Sequence, residues 1–258
     1  MRIVKTFING FYMELFISNE EIKDKKIVIY LPGIPSIPKQ QAYLKKICDN
    51  NTITIQLRYA GSWESDGRFI DKNFIRDLHS LLDTVARGSF IDIIKEEKLT
   101  FNINETILLG SSFGSFVVME IIKNNPLINK AILFSPIFSL KQLDESLNHR
   151  LYKELLTELE INKNVYRMDI TRYKNLMNDQ IIGNHTTQIE KFKNARILMF
   201  QGEDDELTPS GILRENIKLF NKINLKYKII FLKNTGHNIF SSLKYQEYKI
   251  IKEFIKNG

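Results

Sequence analysis

Apolar residues fall along this chain in two alternating rhythms. Residues 26–31, 52–57, 106–109, 131–134, 196–200 and 227–232 are short runs rich in Ile, Leu, Phe and Thr, the composition of strands covered on both faces. Between them, residues 43–48, 74–95, 116–123, 211–220 and 243–255 carry apolar residues three and four positions apart. That is the spacing of a helix burying one side. Strand followed by helix, repeated, predicts an α/β fold, with a mostly parallel central sheet flanked by helices on both faces. Residues 11–17 read as the first strand. The preceding stretch is interrupted by Lys5, Asn9 and Gly10 and has no small-residue cleavage site, so a secretory signal is not expected.

One interval breaks the rhythm. Between the strand ending at Phe134 and the one starting at Arg196 lie charged helical patterns such as residues 151–156. The interval far exceeds an ordinary connection. A crossover helix with loops is the plain alternative. The better reading is a small helical cap at about 137–194 inserted in a single domain spanning 1–258, because long excursions in compact folds are commonly lids.

Composition changes this picture little. The chain has 258 residues, enough for one sizeable core. A net charge of +7 raises the question of nucleic acid, but the lysines are scattered and no basic-aromatic motif accompanies them, so no such partner is expected. No apolar run approaches the length of a membrane span. The one cysteine, Cys48, excludes an internal disulfide and a Cys-based zinc site, and cytoplasm is the expected compartment.

Candidate chemistry changes it more. Gly110-Ser111-Ser112-Phe113-Gly114 matches G-x-S-x-G, with a strand pattern before it and a helical pattern after it. Such an elbow is so tight that flanking side chains must be absent, and it projects Ser112 at the sheet's C-terminal edge. There the N-terminus of the following helix favours negative charge. A glycine-rich turn with solvated serines is the plain alternative, and the flanking strand and helix weigh against it.

Three further segments follow strand ends. Acyl transfer needs two N–H donors for the oxyanion. One is expected from Phe113 and the other from Ile34 in Leu31-Pro32-Gly33-Ile34-Pro35, where Pro35 restricts the Ile34 backbone. Next, Glu203-Asp204-Asp205-Glu206 offers an acid able to orient a histidine, with four carboxylates leaving the choice open. Last, His237 stands after the final strand beside Gly236, whereas His79 lies in a helical pattern and His149 and His185 lie in the expected cap. His237 completes the order Ser, acid, His.

With these pieces in place, the chain resembles the α/β-hydrolase superfamily over almost its whole length. Leu31-Pro32-Gly33-Ile34 is similar to the family's His-Gly-x oxyanion loop, with Pro32 where histidine is common. The pattern Gly-x-x-Asp-x-x-x-Pro runs from Gly202 to Pro209 and selects Asp205 as the acid. Residues 58–69 resemble the Tyr-Arg-Gly-Ser-x-x-Ser-x-Gly-x-Phe loop of small prolyl-oligopeptidase-like and feruloyl-esterase-like members, with Ala60 where arginine is common. The resemblance implies a Ser112–His237–Asp205 triad that hydrolyses an ester or thioester through an acyl-enzyme and needs no metal or organic cofactor. The expected partner is a small-molecule acyl substrate, with Trp63, Phe69 and Phe240 as candidate pocket residues. A small peptidase or amidase is the alternative within enzymes, and a silent binding or scaffold member is the alternative outside them. The oligomeric state is written in no residue.

Overall fold

The computed structural model describes residues 1–39 and 41–257. Its central sheet has eight strands in the order β1-β2-β4-β3-β7-β8-β9-β10. These are β1 (Arg2–Ile8), β2 (Phe11–Ile17), β3 (Asp24–Leu31), β4 (Thr52–Leu57), β7 (Asn102–Ser111), β8 (Lys130–Phe134), β9 (Arg196–Gly202) and β10 (Lys226–Leu232). Strands β1 and β2 run antiparallel to their neighbours and every later pairing is parallel. Helices α1 (Gln41–Ile47), α2 (Phe74–Ala86), α3 (Phe113–Asn124), α7 (Ser210–Lys222), α8 (Ile239–Ser242) and α9 (Tyr245–Lys256) flank it.

Alternation along the strands divides the core in two. Ile27, Ile29 and Leu31 of β3 face a cluster that includes Leu78 and Leu82 of α2, Phe116 and Val117 of α3, and Phe220 of α7. Val28 and Tyr30 face the other cluster, with Leu44 and Ile47 of α1, Phe240 of α8 and Ile251 of α9. Covering both faces in this way is what made the strand sequences continuously apolar.

Two local expectations are corrected. Residues 11–17 form the second strand, because Asn9 and Gly10 both take positive φ (51° and 80°) and fold residues 2–8 back as β1. This is the two-residue hairpin turn that Asn-Gly favours. The helix expected over 74–95 ends at Ala86. Gly88 sits at φ +70°, where a Cβ would come within 2.0 Å of the Phe101 carbonyl oxygen. The chain then turns into a hairpin of β5 (Ser89–Asp92) and β6 (Glu97–Thr100), which buries Phe90 and Asp92 on one side.

Between β8 and β9 the chain makes its long excursion through α4 (Leu140–Ser146), α5 (Arg150–Ile161), α6 (Ile170–Met177) and a 3₁₀ helix, His185–Phe192. Leu140, Leu143, Leu155, Leu159, Tyr173 and Leu176 of these helices join the α2/α3 side of the core. At the opposite edge of the sheet, three cations converge on the last turn of α9. Lys26 Nζ donates to the carbonyls of Ile255 (2.8 Å) and Lys256 (3.1 Å). Lys130 Nζ donates to Asn257 (2.7 Å) and Ile255 (3.2 Å), and Arg196 Nη1 to Asn257 (3.1 Å). Glu105 pairs with Lys26 and Lys130. Cations suit a helix C-terminus, whose last carbonyls lack partners within the helix. Among the described residues, no helix is long and apolar enough to cross a membrane.

Candidate active site

Strand β7 delivers the chain into a turn where Ser112 takes φ 53° and ψ −119°, a strained conformation for a residue with a side chain. Its N–H donates to the Phe134 carbonyl at 2.8 Å, tying the turn to β8. The flanking glycines are required by close approach. A Cβ on Gly114 would lie 1.9 Å from the Leu31 carbonyl oxygen, and one on Gly110 would lie 2.5 Å from the Gly114 carbonyl oxygen. Helix α3 therefore starts hard against the end of β3. The loop after β3 is drawn to the same place, so that a Cβ on Gly33 would sit 3.8 Å from Ser112 Oγ.

Asp205 follows β9. Its side chain is fully buried while that of His237 is partly open. His237 Nδ1 lies 3.0 Å from each Asp205 carboxylate oxygen. Oδ1 also accepts the N–H groups of Leu207 (3.0 Å) and Thr208 (2.8 Å). Oδ2 accepts from Thr208 Oγ1 (2.6 Å), Ser135 Oγ (2.8 Å) and Gln201 Nε2 (3.2 Å). Burial pushes the Asp205 carboxyl up, but the His237 imidazole and Thr208 outweigh it and hold the pKa down, at about 2. An ionised acceptor at Nδ1 fixes the tautomer that leaves Nε2 free to take a proton.

Ser112 and His237 line one cavity of about 330 Å³, together with Ile34 and Phe113. The structure thus brings together the Ser112, His237, Ile34 and Phe113 of the sequence reading, with Asp205 behind the histidine. As the first residue of α3, Phe113 offers an N–H with no acceptor one turn back. A serine that shares a cavity with an oriented imidazole and with the first N–H of a helix is an arrangement able to exchange an acyl group with water. Among the described residues, no group of three or more His, Cys, Asp or Glu side chains is placed to hold a metal ion.

Trp63, Phe69 and Phe240, the pocket aromatics expected from the sequence, are not among the described residues lining this cavity. Phe240 packs against Tyr30, Tyr43 and Phe134 on the α1/α9 side of the sheet. Phe69 is buried among Tyr59, Phe74, Phe113 and Tyr166. Trp63, at φ 48°, turns its indole toward the loop after β3 and donates Nε1–H to the Ser36 carbonyl at 3.0 Å. The cavity wall comes instead from Ile137, Leu140, Leu143, Leu151 and Leu155 of the excursion and from Pro35, Ser36, Ile37 and Lys39 of the loop.

Trp63 belongs to a brace that sequence reasoning missed. Tyr166 OH donates to the Ser36 carbonyl (3.0 Å) and accepts the Ser36 N–H (2.7 Å). Tyr59 OH donates to the Pro32 carbonyl at 3.0 Å, and burial pushes its pKa well up. The loop carrying Ile34 is therefore held on both sides. The segment that supplies Tyr166 is joined to residues 61–69 by main-chain bonds from Trp63 to Val165, Phe69 to Arg167 and Arg167 to Gly61. Glu64 and Asp66 lie outside the cavity lining. Glu64 pairs with buried Arg58 at 3.3 Å. His149 bonds Asp144 at 2.9 Å and is largely exposed. His185 is buried, with Nε2 3.0 Å from the Phe116 carbonyl.

No protein-family model and no curated protein matches the chain. Solved structures do. GrgF, an α/β hydrolase from Penicillium sp. sh18, is 16% identical at a TM-score of 0.69, covering 99% of this chain and 97% of that one. A monoacylglycerol lipase from Paleococcus ferrophilus is 15% identical at 0.61, over 95% and 98%. A thermophilic esterase from the Planctomycetes species Thermogutta terrifontis, with propionate bound, is 13% identical at 0.63, over 98% and 93%. Likeness at this identity defines the fold alone. The chain has the α/β-hydrolase fold.

Proposed function

We propose that the chain is a serine hydrolase that cleaves carboxylic esters or thioesters through an acyl-enzyme on Ser112. The observation that carries this reading is the His237 imidazole, held 3.0 Å from both oxygens of a buried carboxylate in the same cavity as a serine on a strained elbow. His237 Nε2 takes the Ser112 proton as Oγ bonds the acyl carbon. The Ile34 and Phe113 N–H groups hold the oxyanion, and the alcohol or thiol departs with the proton from His237. Water then gives a proton to His237 and its hydroxyl to the acyl carbon, releasing the acid and restoring Ser112. The excursion of residues 137–194 serves as a cap that walls the cavity without supplying a triad member.

The activities of the structural neighbours support a hydrolase of this kind, an esterase and a monoacylglycerol lipase among them. Peptide cleavage from a free amino terminus is less well supported, since the nearby carboxylates of Glu64 and Asp66 lie away from the cavity. The test is labelling with a fluorophosphonate probe and mapping the adduct by peptide mass spectrometry. The adduct is expected on Ser112 and absent from Ser112→Ala. Labelling on Ser111 would move the nucleophile to that residue, whereas no labelling in the native protein would leave the fold acting as a binding or scaffold protein.

A further inference from the structure

The cavity that Ser112 lines is walled largely by aliphatic side chains. Its lining includes Leu140, Leu143, Leu151 and Leu155 of the α4–α5 pair and Ile34 and Ile37 of the loop after β3, along with Tyr30, Ser36 and Phe113. Leu140 and Leu143 are almost fully buried, whereas Ile37 is 57% exposed at the rim. Aliphatic side chains are thus present from the buried end to the opening. The polar groups of the lining belong mostly to the reacting centre or, like exposed Lys39, to the loop. Branched aliphatic side chains from both elements offer dispersion contact along a flexible chain and, themselves, no hydrogen-bond partner to a peptide group or phenol.

We propose that the acyl group taken by this site is an unbranched aliphatic chain of medium length, lying between α4–α5 and the loop after β3. This rests on the serine-hydrolase reading and narrows it. The volume sets the length. A cavity of about 330 Å³, at on the order of 30 Å³ for each water-sized group, holds roughly ten non-hydrogen atoms. With two of them at the reacting carboxyl oxygens, about eight carbons remain. Each methylene that enters is worth about fourfold in kcat/KM when fully buried, from a burial free energy of ~0.8 kcal/mol. The gain ends where the chain reaches the solvent beside Ile37.

The experiment is a series of p-nitrophenyl esters from acetyl to palmitoyl, with the feruloyl ester beside them, run on the native protein together with fluorophosphonate labelling. The expected kcat/KM rises at least a hundredfold from acetyl to about octanoyl, then falls. Leu143→Trp should lower the octanoyl-to-acetyl ratio at least tenfold by filling the slot. Half-buried Leu151→Trp serves the same purpose if the first variant does not fold. Labelling of Ser112 with a rate that peaks at acetyl, or that favours feruloyl over octanoyl, would overturn the chain-length proposal and leave the hydrolase standing. Failure of Ser112 to label would remove the hydrolase reading and the proposal with it. A ratio unmoved by either tryptophan would place the chain elsewhere and sink the proposal.

Discussion

Asp204 and Asp205 are neighbours in the chain with opposite surroundings. Asp204 is exposed, while Asp205 is buried and accepts from Thr208, Ser135 and Gln201 as well as His237. Asp205→Asn should therefore lower kcat on an activated ester by roughly three to four orders of magnitude. Asp204→Asn should stay within about twofold, since an exposed side chain away from the site costs little when changed. The same carboxylate matters to stability. Its pKa lies below the ordinary 3.8, at about 2, so its contribution is complete above about pH 4 and is lost as pH falls through 2. Urea unfolding across that range should show about 2 kcal/mol of acid-labile stability in the native protein that Asp205→Asn lacks. Residue type and motif spacing singled out Ser112, Asp205 and His237, and the fold pairs Asp205 with His237 and sets His237 and Ser112 on one cavity. Side-chain direction was not legible. Trp63, Phe69 and Phe240 are the large aromatics a reader would aim at a pocket, yet the positive φ of Trp63 and the two-sided core carry all three elsewhere.

The elements most readable in advance were strands covered on both faces, whose composition admits little else. β1 was hidden because Arg2, Lys5 and Thr6 break its apolar run, although Asn9-Gly10 already marked the hairpin. Helix α2 was overextended because Phe90 and Ile94 continue its spacing and only Gly88 breaks it. The brace on the loop after β3 has no local signal: Tyr59, Trp63 and Tyr166 meet at Pro32 and Ser36 only through the fold. Its function has a direct test. Tyr166→Phe keeps the ring against Phe69 but removes both hydroxyl bonds to Ser36. If the loop positions the Ile34 N–H, kcat should fall by roughly ten- to a hundredfold, below the 10²–10³ lost with an oxyanion donor itself, and KM should change little. A loss confined to thermal stability would make the brace purely structural.

Taken as a whole, the molecule combines a sheet whose C-terminal edge carries the candidate site with an excursion packed behind α3 through His185. Burial drives the His185 pKa down to about 3, leaving a neutral ring that donates to the Phe116 carbonyl, with Glu120 3.8 Å from Nδ1 and Lys123 nearby. An imidazole that resists protonation when folded stabilises fully above its ordinary 6.5 and progressively less as pH falls toward 3. Unfolding between pH 7 and pH 4 should therefore show a stability loss that His185→Phe flattens. His149→Ala, on an exposed ring of the same excursion, should leave turnover on a small activated ester unaltered. The cations at the far edge have a different consequence. Lys26, Lys130 and Arg196 grip the main-chain carbonyls of residues 255–257, which every amino acid supplies. Drift in the identity of residues 256 and 257 costs this contact nothing, whereas loss of these residues costs it. Lys256→Ala and Asn257→Ala should melt with the native protein, whereas deleting residues 255–257 removes the carbonyls and the buried Ile255 side chain together and should melt lower, leaving Lys130 to Glu105 and the Phe254 ring. That edge therefore constrains the backbone of residues 255–257 while leaving the exposed side chains of residues 256 and 257 free to vary.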